Sequence, residues 1–221
     1  MNGEWSLSVL DQSPIRDGGT AAQALRETVA LAKAAEGFGY QRFWVAEHHN
    51  SSMFAGASPE ILIGQIAANT ATIRVGSGGV MLSHYSALKV AEVFRILAAF
   101  YPGRIDLGIG RAPGSDQATA VALAHPKPLV DIRQFPRQVA DVVGFLYDRL
   151  PEDHPFAAIQ AQQDTRPPGL PDVWLLGSSD YSARLAATMG LPFAFADFFG
   201  SAGDIGPQVA DIYRREFKPS D

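Results

Sequence analysis

The sequence predicts an α/β fold on a parallel sheet, of the TIM-barrel type. Three observations lead there. Short apolar runs rich in β-branched and aromatic residues alternate with longer segments of helical period, the rhythm of βα units. Polar and glycine-rich residues gather just after four of the strand candidates, where the active-site rim of a barrel lies. The turn after the first strand, Asp11-Gln12-Ser13-Pro14-Ile15-Arg16, lacks the G-x-G-x-x-G expected of a doubly wound dinucleotide fold.

Leu7 to Leu10 is the first strand, and a helix follows from about Thr20 to Gly37. In that helix Ala24, Leu25, Thr28, Val29, Leu31, Ala32 and Ala35 recur at helical spacing behind Thr20 as N-cap. Arg42 to Glu47 is the second strand. Pro59 then opens a helix to about Ala71. The third strand begins at Ile73 and runs through Gly76-Ser77-Gly78-Gly79 to Leu82, and a helix spans Ser86 to Tyr101. Ile105 to Ile109 is the fourth strand. Residues 115–128 read as an insertion and Asp131 to Leu150 as one helix. The stretch 151–171 holds Pro151, Pro155, Pro167, Pro168 and Pro171, which oppose both helix and ladder, so it reads as a surface excursion. The rhythm returns with strands at Val173 to Leu176 and Phe193 to Ala196, each followed by a helix, Asp180 to Met189 and Gly206 to Phe217. Six βα units result, in one domain over residues 1–221.

Composition excludes several partners. A net charge of −5 leaves no positive field to attract nucleic acid or an anionic membrane. No window holds eighteen consecutive apolar residues and the start lacks a secretory pattern, so a membrane span is not expected and cytoplasm is the default location. With 0 cysteines there is no thiolate nucleophile and no cysteine-ligated metal.

Chemistry concentrates at the strand ends. The second strand breaks into Glu47-His48-His49-Asn50, and alternation sends His48 one way and Glu47 with His49 the other unless the strand is already opening. Histidine titrates nearest neutral pH, so the cluster reads as an acid/base group, a polar strand cap or half of a metal site. No remote partner at metal-ligand spacing supports the last, and no metal is expected. Gly76-Ser77-Gly78-Gly79 interrupts an apolar strand, marking either a packing bulge or the close approach of a ligand. His84 and Tyr85 follow on the same rim. Arg111 suits a phosphate or carboxylate, or pairs with Asp106 or Asp116. Ser178, Ser179 and Ser182 open a helix, as an anion site or as routine caps. Together these features point to a phosphorylated, planar cofactor.

The motifs Trp44 to His49, Gly76 to His84, Arg104 to Gly114 and Gly177-Ser178-Ser179 with Gly190-Leu191-Pro192 resemble those of the luciferase-like monooxygenases, flavin-dependent (β/α)8 barrels. The resemblance runs along almost the whole chain. It implies a two-component monooxygenase using reduced FMN (FMNH2) and O2 on a small apolar substrate, with a separate flavin reductase and a homodimeric state. The deazaflavin F420, used for hydride transfer, is the nearest rival cofactor, and a flavin-binding protein without turnover is a third reading. By the same resemblance His48 is the catalytic base and Glu47 approaches the ring. Ser77, Gly78 and Gly79 lie beneath the ring, with a non-proline cis peptide expected at Gly78-Gly79. Arg111, Pro113, Ser179 and Ser182 hold the cofactor, and Ser178 stands where the family has a carboxylate. Family members complete eight βα units, so this chain is expected to be a fragment or a shortened relative.

Overall fold

The computed structural model describes residues 5–111, 116–163, 169–199 and 205–219. Strands β1 (Ser8–Asp11), β2 (Arg42–Val45), β3 (Arg74–Met81), β4 (Ile105–Gly110), β5 (Asp172–Gly177) and β6 (Phe193–Phe195) form one sheet. Every pairing is parallel, and the order across the sheet is the order along the chain. A doubly wound sheet reverses its winding at a switch point, whereas this one never does, so it curls as a half-barrel.

The connecting helices are α1 (Ala21–Gly37), α2 (Pro59–Ala68), α3 (Ala87–Phe100), α4 (Gln117–Ala124), α5 (Phe135–Tyr147), α6 (Asp180–Met189) and α7 (Ile205–Glu216). Their ends follow local chemistry. The Thr20 hydroxyl accepts the Gln23 N–H at 3.2 Å to start α1. Gly190, at φ +66°, stops α6 in the left-handed conformation that glycine adopts without penalty.

Several boundaries differ from the sequence expectation. The helix predicted to Ala71 ends at Ala68 because Glu36 accepts the backbone N–H groups of Ala71, Thr72 and Ile73 and draws the chain off the helix axis. Arg104 completes the exit by donating to the carbonyls of Ala67, Thr70 and Ile73. The single helix predicted from Asp131 is instead a short 3-10 turn, Ile132–Gln134, followed by α5. Pro136 has no N–H to return to an upstream carbonyl, so the α-helix starts around it. Within the supposed insertion at 115–128, Asp116 caps α4 through the Thr119 N–H at 3.0 Å. The described part of the proline-rich excursion, 151–163 and 169–171, has neither helix nor strand, as expected.

Strand alternation sorts the interior. Phe43, Val45, Val75, Ile105, Leu107, Ile109, Val173 and Leu175 are buried in one cluster with Ile63 and Ile66 of α2, Phe94 of α3, Val142 and Leu146 of α5 and Ala186 of α6. The intervening positions face the other side of the sheet. There the fully buried Asp106 accepts from Trp44 Nε1 at 2.9 Å, Arg42 Nε at 3.1 Å and Arg74 Nε at 2.9 Å. Trp174 meets Trp44 edge-on, with ring centroids 5.4 Å apart. Three donors thus satisfy a carboxylate that would be costly to bury alone.

Candidate active site

Above that buried carboxylate, at the C-terminal ends of the strands, lies a cavity of about 540 Å³, within the range that takes small organic ligands. It gathers most of the residues singled out from sequence. Glu47, His48, Gly78, Gly79, Arg111, Ser178, Ser179 and Ser182 all line it. Pro113 lies outside the described residues.

Strand β2 ends at Val45, two residues before the expected Glu47, because the chain opens there into a loop. That opening lets Glu47 and His48 face the same cavity although they are neighbours in sequence. Glu47 is fully buried and well satisfied. Its Oε1 accepts from Tyr85 Oη at 2.8 Å and lies 2.7 Å from His49 Nε2, while its Oε2 accepts the Met81 N–H at 3.0 Å. Burial first, and then the adjacent Glu47 carboxylate, push the Tyr85 phenol far above its ordinary range, so Tyr85 stays a donor. His49 serves Glu47 and does not line the cavity.

His48 is built differently. Its backbone N–H donates to Gly56 O at 2.8 Å, and its ring lies 4.6 Å from the Phe54 ring, tilted by 34°. Its Nδ1 is buried and has no hydrogen-bond partner among the described residues. Burial lowers its pKa below the ordinary 6.5, partly opposed by Glu47 and reinforced by His49. The imidazole is therefore neutral near pH 7, the state a general base needs.

Ser77 departs from expectation. It falls on the helix-facing side of β3, is fully buried, and donates to Gly108 O at 2.8 Å across the sheet, so its side chain ties β3 to β4 instead of lining the cavity. The register then slips between Gly78 and Val80, which turns Val80 and Leu82 into the core. The Gly78-Gly79 peptide is cis. A Cβ on Gly78 would meet Leu10 and one on Gly79 would come 2.9 Å from Gly108 O. Backbone packing therefore demands glycine at Gly79, whereas Gly78 meets the movable tip of Leu10, and the backbone of both borders the cavity.

The opposite wall suits an anion. The Arg111 guanidinium stacks 4.4 Å over the Tyr181 ring. Neither carboxylate considered for it is its partner: Asp106 is held by Arg42 and Arg74, and Asp116 by Asn50 and Thr119. The N-cap of α6, Ser179, makes no side-chain capping bond, so the first N–H groups of α6 stay available beside Ser178 and Ser182. Gly177 is required here because any side chain would strike Ser182.

Sequence reasoning missed much of the apolar wall. Leu10, Trp44, Phe54, Met81, Leu176, Ala194 and Phe195 line the cavity, and so does Gln12. Gln12 had a signal, since it follows β1 on the same rim. Phe54 had none, because it reaches the site through a loop.

A family model described as luciferase-like monooxygenase matches residues 6–218. A luciferase-like monooxygenase of Escherichia coli strain K12 is 49% identical over 219 residues, covering 97% of this chain and 62% of that protein. The N-acetyl-S-alkylcysteine monooxygenase of Bacillus subtilis is 48% identical over 216 residues, covering 96% of this chain and 63% of its own length. The crystal structure of apo-MsnO8 superimposes with a TM-score of 0.87 at 44% identity, covering 98% of this chain and 62% of that one. The chain thus spans less than two thirds of each of these relatives. It belongs to the luciferase-like monooxygenase family.

Proposed function

We propose that this chain carries the flavin-binding half-barrel of a monooxygenase that takes FMNH2 from a separate flavin reductase and uses O2 on a small apolar organic substrate. The observation that carries the reading is the convergence in one cavity of a neutral imidazole at His48 whose Nδ1 has no hydrogen-bond partner among the described residues, the Arg111 guanidinium stacked on Tyr181 and the open N-terminus of α6. This donor set fits a phosphorylated ring system. Bound flavin would supply the oxygen chemistry, while the protein supplies binding, orientation and proton handling. Arg111, Ser178, Ser179 and Ser182 would hold the phosphate. Leu10, Trp44, Leu176 and the Gly78-Gly79 backbone would border the ring, Glu47 would keep that wall rigid through Tyr85 and Met81, and His48 would accept a proton.

Solved structures that share the fold at 18% identity hold FMN in one case and an F420–acetone adduct in another. Hydride transfer with F420 is accordingly the second reading. A flavin-storage role is less well supported, since it has no use for the neutral base at His48. Exposed Ile61 of α2 (67%) and Phe100 of α3 (73%) support a homodimer. Among the described residues, no helix is long and apolar enough to cross a membrane. Cytoplasmic location is part of the same proposal.

Titration with FMN and with F420, followed by quenching of each ligand's fluorescence, tests the cofactor. Quenching by FMN at micromolar concentration is expected, F420 alone would favour the second reading, and no quenching by either removes both. Arg111→Ala should weaken FMN binding by about 1.5–3 kcal/mol and leave riboflavin, which has no phosphate, nearly unchanged. Equal losses for the two ligands would show that Arg111 is structural.

A further inference from the structure

A second cavity of about 540 Å³ lies on the other side of His48. It is lined by Ile15, Ala21, Asn50, Ser51, Ala55 and Ala57, among others, and it shares two residues with the main cavity, His48 and Phe54. The His48–Phe54 ring pair is therefore the partition between two spaces. The main cavity is walled chiefly by apolar side chains, whereas the second is rimmed by the exposed Ala21, Asn50, Ser52 and Ala57 and so meets solvent.

We propose that the second cavity is a proton port, through which His48 exchanges its proton with solvent while the main cavity is filled. The proposal rests on His48 being the base of the site described above. A ligand that fills the main cavity expels water from that side of the ring. A base that has taken a proton there must lose it before it can act again. The imidazolium gives its N–H proton to a water or buffer base in the second cavity, the base leaves protonated, and the neutral imidazole returns. No electron moves.

The port is held open by backbone bonds. Ser51 Oγ accepts the N–H groups of Met53 and Phe54 at 3.1 and 3.2 Å. Ile15 N–H donates to Met53 O at 2.7 Å, Ala55 N–H donates to Ser13 O at 2.9 Å, and Pro14 pairs antiparallel with Phe54. The β1–α1 and β2–α2 loops are thus laced together around the opening. Asn50 Nδ2 anchors the far side by donating to Asp116 Oδ2 at 3.1 Å. This lacing fixes the Phe54 backbone beside the opening, and the ring that it carries covers the imidazole at 4.6 Å.

Hydrogen–deuterium exchange at C2 of the His48 imidazole, read by mass spectrometry, tests the port with water itself as the probe. In the 221-residue chain saturated with FMN, His48 should still exchange within about threefold of its ligand-free rate. Ala21→Trp or Ser52→Trp, both at exposed positions on the rim, should slow that exchange about tenfold with FMN bound and leave it unchanged without FMN. Loss of exchange on FMN binding alone would overturn the proposal, as would tryptophan variants that change nothing in the FMN-bound protein. FMN binding is read separately by fluorescence quenching. If FMN does not bind, Ala194→Trp closes the main cavity in its place and the same comparison decides the port independently of the flavin reading.

Discussion

His48 packs 4.6 Å from Phe54 and is half-buried, and its lowered pKa makes the protein sensitive to acid at this one residue. The folded pKa lies below the unfolded value of about 6.5, so the unfolded chain takes up the proton first. Stability from the neutral ring is therefore present above that value and is lost as pH falls below it. An NMR titration of the imidazole should find its midpoint below 6.5, and Phe54→Ala should move the midpoint upward by letting water reach the ring. A midpoint that Phe54→Ala leaves unmoved would remove the desolvation argument. Single residues also show where sequence reasoning stopped. The rim position of Glu47 and His48 was legible because an apolar strand breaks there into charge, a pattern that fits a polar strand cap as well as an acid/base group. Ser77 was carried over from the family resemblance, whereas alternation from Val75, which precedes the register slip, already places its side chain on the helix-facing side.

At the level of elements, Glu36 shows how one helix sets the boundaries of its neighbours. From near the end of α1 its carboxylate accepts the N–H groups of Ala71, Thr72 and Ile73 at 2.9, 2.7 and 3.0 Å, which ends the α2 segment and aims the chain into β3. Burial alone would raise its pKa, but these backbone donors outweigh it and hold the pKa at about 2, against 4.5 for an ordinary glutamate. With the folded pKa depressed, the contribution is complete above about pH 4.5 and fades as pH falls toward 2. Glu36→Gln should cost about 1 kcal/mol at neutral pH, a figure reduced for solvent screening at this accessible site. The deficit should narrow near pH ~3, as read from urea unfolding midpoints. A cost that does not vary with pH would mean that shape, and not charge, anchors the turn. The helices α1, α3, α6 and α7 were legible to within a residue at either end, because their caps and apolar stripes are local. Those whose ends are set by a side chain from another helix were not.

The whole molecule is organised around β4, the strand whose six residues are all buried. Leu107 at its centre is fully buried within the core shared with the helices. Leu107→Ala should destabilise the fold by about 2–5 kcal/mol, lowering the denaturant midpoint with little change in slope. A loss below about 1 kcal/mol would mean that the sheet can collapse around the gap. The sequence by itself determined the number and order of the βα units, the absence of a dinucleotide turn and the placing of Glu47, His48, Arg111 and Ser179 at strand ends. These follow from period and local chemistry, which act over a few residues. Tertiary structure alone decided that Asp106 is neutralised by Arg42 and Arg74 and is therefore not the partner of Arg111. It also decided that Phe54 stands between two cavities at His48. Both depend on which strands and loops become neighbours when the sheet curls, and the free energy that fixes those neighbours comes from burying the whole core and from no single segment of the chain.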